Sequence, residues 1–116
     1  MDTHGSAGAV SVPRMVEQGL HRTERALNAV YGVRAEGSAA KARKMARIAE
    51  LCEREARWWG VLERWTYLES GLPLIFGRAG LVARAEAAAR AERYRELESG
   101  YWQRALAVAA DSGVAA

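Results

Sequence analysis

The sequence predicts an all-α fold, an antiparallel three-helix bundle with a long central helix. Three observations carry this. Alanine, arginine, glutamate and leucine dominate while β-branched residues are sparse, a helix-forming bias. The stretch 38–71 has no proline and one internal glycine, Gly60. Two further stretches repeat apolar residues at three- and four-residue steps. A chain of 116 residues reads as one domain over 12–110, with a flexible tail over 1–11 and a frayed end over 111–116.

The first helix is expected over about 13–33. Pro13 suits a first turn, and Ser11 or Val12 sits at the cap position. Val12, Met15, Val16, Leu20, Ala26, Leu27, Val30 and Tyr31 fall on one apolar face, and Gly32 is a plausible stop. A short link, 34–37, follows. Ser38 is a good N-cap for the long helix. On that helix Ile48, Leu51, Cys52, Trp58, Trp59, Leu62 and Trp65 spread over a broad apolar sector, wide enough for two neighbours. Gly71 and Pro73 give a strong stop.

The segment 72–80 reads as a short apolar connection whose Leu74, Ile75 and Phe76 cap the bundle end or meet a partner, with capping favoured. The third helix is expected over about 81–109. Its seam runs through Ala83, Ala87, Tyr94, Leu97, Tyr101 and Val108, interrupted by Arg90 and Arg104. Leu-Glu-Ser-Gly occurs at 68–71 and 97–100; the first copy should end a helix and the second should continue one. Glu86–Arg90 and Glu92–Arg95 are spaced to pair along the third helix.

Catalytic chemistry finds no inventory here. His4, His21 and Cys52 are scattered, without CxxC or HxxxH spacing. The GRAG at 77–80 lacks the spacing and the Lys-Ser/Thr ending of a phosphate loop. Cys52 lies on an apolar face and reads as a small buried hydrophobe. Glu55 falls inside the apolar sector and calls for an arginine partner from a neighbouring helix. No enzyme activity, cofactor or metal is therefore expected. No uncharged run reaches the roughly 18 residues of a membrane span. A single cysteine fits the reducing cytoplasm.

Two features point to function. Arg34, Lys41, Arg43, Lys44 and Arg47 oppose one acid, Glu36, across 34–47. Cations at a helix start work against the macrodipole, so stability alone would place acids there. Lysine and arginine beside free backbone N–H groups suit phosphate instead, and these five are the candidate nucleic-acid-binding residues. The alternative is a solvated basic face. The second feature is a surplus of aromatic residues for so small a bundle: Trp58, Trp59, Trp65 and Trp102. They read chiefly as core or subunit-interface anchors, with Ile75, Phe76 and Trp102 as candidate protein-interface residues.

A short, basic, all-helical, cysteine-poor chain with the stretch KARKMAR at 41–47 is similar to the small subunits of multi-subunit (class 1) CRISPR effector complexes, which act in antiviral defence. The resemblance implies helical bundles stacked along a ribonucleoprotein, gripping RNA or single-stranded backbone through basic faces and neighbouring subunits through other surfaces. Small helical phage proteins, such as terminase or anti-defence factors, resemble it almost as well. The alternative function is a protein-binding adaptor or inhibitor, for example a phage or plasmid accessory factor, that binds through Trp102, Ile75 and Phe76 without nucleic-acid contact.

Overall fold

The computed structural model describes residues 11–69 and 71–115. The tail expected over 1–11 therefore lies, but for Ser11, outside the described residues. Three helices and no strands occur among those described: α1 (Val12–Tyr31), α2 (Ser38–Leu68) and α3 (Leu74–Ala115).

Helix α1 starts as its sequence asks. Ser11 is the N-cap, and its hydroxyl accepts from Arg14 N at 3.3 Å. Its buried line is Val16, Gly19, Thr23 and Leu27, so the expected face shifts: Met15 and Tyr31 are exposed, while a glycine and a threonine lie inside. Thr23 is buried without cost because its Oγ1 donates to Gly19 O at 2.8 Å. Gly19 lies inside because a Cβ there would overlap the Trp58 indole. The helices cross where one side chain has been reduced to hydrogen.

Gly37, not Ser38, occupies the N-cap of α2. Its φ of 86° favours glycine, and no side chain caps the helix. Ala42, Ile48, Ala49, Leu51, Cys52 and Thr66 are buried along α2. Trp58, Trp59, Leu62 and Trp65 are half-buried. The helix ends at Leu68 and Gly71 turns the chain with φ 69°, as the first Leu-Glu-Ser-Gly predicts; the second copy lies within α3.

Helix α3 departs most from expectation. It spans 42 residues, against 31 for α2, and begins at Leu74 immediately after Pro73. The expected connection 72–80 is thus mostly helix. Gly77 and Gly80, which read as loop punctuation, are buried where α3 crosses α2. A Cβ on Gly77 would strike the Tyr67 ring, and one on Gly80 would lie 3.5 Å from Glu63 Cα. With Ala87 and Ala91 they form the buried line of α3. Leu97 and Val108, expected on the seam, are exposed. The helix runs on through residues 111–115.

Ion pairs fix the α2–α3 register. Arg84 Nε meets Glu63 Oε1 at 2.8 Å, Arg90 Nη2 meets both oxygens of Glu55 at 3.1 Å, and Arg95 Nη2 meets Glu53 Oε1 at 3.1 Å. Positions on α2 fall as those on α3 rise. The local pairs expected within α3 give way to these, because Arg90 and Arg95 face glutamates on α2; Arg95 also holds Glu98 at 3.0 Å.

Helix α2 packs against both neighbours, while α1 and α3 share no backbone contact among the described residues. They meet only through side chains at a cluster of Leu27, Ile48, Leu51, Cys52 and Ala91, bordered by Tyr94. The molecule measures 75 × 28 × 18 Å.

Candidate functional site

The cationic stretch forms a cleft where the α1–α2 link meets the start of α2. Arg34, Arg43, Lys44 and Arg47 line it, over an apolar floor of Val30, Val33, Ala35 and Ala40. Four of the five candidate residues thus converge, and among the described residues no acidic one lines the cleft. The fifth, Lys41, points away toward α3, its Nζ 5.9 Å from the centre of the Tyr101 ring, which Arg104 approaches at 5.1 Å.

The four cations are not equivalent. Lys44 Nζ donates to Tyr31 O at 3.2 Å and to Val33 O at 2.9 Å. It closes the C-terminal end of α1, which has no basic residue in its own last turn. Part of the unexpected charge at the start of α2 is therefore structural. Arg34 pairs with Glu36 at 3.2 Å and Arg47 with Glu50 at 3.3 Å, all four side chains exposed. Surface pairs of this kind contribute about 0–1 kcal/mol. Arg43 has no ion pair or hydrogen bond among the described residues and is exposed. The first turn of α2 contains no acid and no side-chain cap, so its free amides lie beside these cations.

The remaining polar groups serve packing. Glu55 has the arginine partner its position demanded: Arg90, both side chains half-buried. Burial pushes the Arg90 guanidinium down, but the carboxylate of Glu55 outweighs it and leaves the group raised. Burial pushes the Cys52 thiol up, which keeps it protonated and a poor nucleophile. Although Tyr31 as a residue is exposed, partial shielding of its phenol from water, and then Tyr94 beside it, push that group up to about 12. A second cleft runs between α1 and α2 past Leu20, Glu24, Trp59 and Leu62. Among the described residues no group of three His, Cys, Asp or Glu side chains is placed to hold a metal, and no helix is long and apolar enough to cross a membrane.

The candidate interface residues divide between two places. Ile75 and Phe76 are exposed at the turn between α2 and α3, and do not cap the bundle as expected. A continuous helix separates them from Trp102 by roughly 40 Å at 1.5 Å per residue. Trp102 is exposed beside the start of α2, and its Nε1 donates to Glu98 Oε2 at 3.2 Å. Leu72 and Leu74, in the apolar segment 72–80, are exposed along with Ile75 and Phe76, and so is Leu68, which the sequence did not single out. Three consecutive apolar residues at 74–76 were the available signal, since no helix can bury all of them on one face.

Compared with known proteins, the chain matches no family model, no characterised protein and no solved structure.

Proposed function

We propose that the chain is a non-catalytic helical subunit of a ribonucleoprotein or other nucleic-acid assembly. In this reading it is an antiparallel three-helix bundle with α2 at its centre. It holds the backbone of RNA or another single strand in the cleft at the start of α2, and meets neighbouring subunits through its exposed apolar residues. One observation carries the reading: Arg34, Arg43, Lys44 and Arg47 line one cleft whose described lining includes no acid. Phosphate oxygens can replace the exposed partners of Arg34 and Arg47, engage Arg43 and accept from the first-turn amides. Backbone contacts of this kind position a strand without reading its sequence. The similarity to small subunits of CRISPR effector complexes belongs to the same proposal, as does a cytoplasmic location.

The test is fluorescence anisotropy of a labelled single-stranded RNA as salt is raised. Three to four phosphate contacts give a slope of log K on log salt of about −2 to −3, at roughly 0.7 per contact. Arg43→Glu with Arg47→Glu should remove most binding. Lys44 is left in place because it closes α1. Undiminished binding by the double variant, or none by the wild type in low salt, overturns the reading.

A second reading, a protein-binding adaptor or inhibitor such as a phage or plasmid accessory factor, is favoured by another observation. Arg34, Lys41, Lys44 and Arg47 already have partners within the chain, and Leu68, Leu74 and Ile75 are strongly exposed apolar side chains at the opposite end. It predicts no anisotropy change and a stoichiometric protein partner.

A further inference from the structure

We propose that the turn between α2 and α3 is a homodimer interface, occupied by the same turn of a second copy of this chain. This names the partner for one of the protein-facing surfaces in the reading above and rests on that reading. Leu68, Leu74 and Ile75 keep 73%, 72% and 69% of their surface, and Phe76 and Leu72 keep 55% and 44%. They flank Gly71, with its φ of 69°, and Pro73, where α2 gives way to α3.

The first turn of α3 cannot bury these side chains internally. Positions 74, 75 and 76 spread through about 200° around the helix axis. The side of α3 that meets α2 here is taken by Gly77 and Gly80, with Tyr67 and Glu63 against them. The apolar side chains are therefore left facing outward.

Area and charge select the occupant. Five large apolar side chains at these exposures offer on the order of 600 Å², and the neighbouring Leu81 and Val82 bring the total near the roughly 800 Å² that each partner contributes to a stable interface. A monomer's largest apolar patch is usually about 300–600 Å². The rim carries both signs, with Arg64 and Arg78 exposed alongside Glu69. A two-fold axis brings a surface against itself, so a mixed rim can satisfy its own charges. A uniformly cationic rim would instead suit an anionic membrane. Pairing through this end also leaves the cationic cleft open on each copy, since the cleft lies at the far end of α2.

Sedimentation equilibrium without nucleic acid tests the proposal. The wild-type chain at about 50 µM, a range in which dimer populations respond to concentration, should show twice its 12.7 kDa mass. Ile75→Glu should return to the single mass with an unchanged helical circular dichroism spectrum, because Ile75 supports no internal contact that its exposure would not already forfeit. Trp102→Glu, at the other end, should remain a dimer. A monomeric wild type, a dimer undisturbed by Ile75→Glu, a series growing beyond two copies, or a monomer that floats with phosphatidylcholine vesicles each overturns it. The anisotropy assay repeated on Ile75→Glu separates the two readings. Loss of dimer with RNA binding retained supports the interface, and a dimer that binds no RNA supports it while overturning the first reading.

Discussion

Gly19 and Gly100 both interrupt helices, yet their surroundings assign them opposite consequences. A Cβ on Gly19 would occupy the Trp58 ring, whereas one on Gly100 would meet nothing within 4 Å. Gly19→Ala must push α1 and α2 apart or turn Trp58, and overpacking of this kind costs about 1–3 kcal/mol. Gly100→Ala removes backbone freedom from the unfolded chain and should stabilise by about 0.5–1 kcal/mol. Thermal melts followed at 222 nm should move in opposite directions for the two. A Gly19→Ala protein as stable as wild type would mean that the crossing is looser than described. Neither outcome is legible in the sequence. Both glycines look like isolated interruptions of a helical pattern, and only the fold brings the Trp58 indole to one of them.

The start of α2 shows how one element can serve another. Its cations break a local electrostatic rule, which in the sequence marks a site of function. Lys44 explains part of the violation, because its ammonium satisfies carbonyls at Tyr31 and Val33 that α1 cannot satisfy itself. Lys44→Met should cost about 1–2 kcal/mol, the worth of two hydrogen bonds to a charged donor that is exposed. Arg43→Met should stay within about 0.5 kcal/mol of wild type. Urea unfolding midpoints distinguish them, and equal values would remove the capping role. The spans of α1 and α2 were legible to within a few residues, from Ser11, Pro13, Gly32 and Gly71. The start of α3 was not. Pro73, Gly77 and Gly80 punctuate the sequence as a loop does, but here the proline directly precedes a helix and these glycines serve a close crossing. Nor could spacing reveal the partners of Arg90 and Arg95. Spacing proposes Glu86 for Arg90, where the fold supplies Glu55 from α2, and for Arg95 the fold adds Glu53 from α2 to the local Glu98.

Across the whole molecule, the candidate site was legible because 34–47 is contiguous, so one turn of chain gathers four of its cations. The candidate interface residues were scattered through the sequence and remain scattered in space. Ile75 and Phe76 lie at one end and Trp102 near the other. The all-α class followed from composition and period alone. The length of α3 did not, and with it went the position of the exposed apolar end.

The absence of backbone contact between α1 and α3 has a consequence for how the fold breathes. Helix α1 packs its backbone on α2 and touches α3 only through side chains around Ala91 and Tyr94, so it can detach as a unit while α2 and α3 stay joined by their ion pairs and small-residue line. Regions with fewer buried contacts open at lower free energy than the global transition. Native-state amide exchange should therefore find α1 deprotecting first, with Val16 and Leu27 exchanging well before Ile48 and Leu51. Equal protection in all three helices would contradict this. Each such opening would free Lys44 from its carbonyls and uncover the Trp58 ring, making the first helix a hinged cover over the other two.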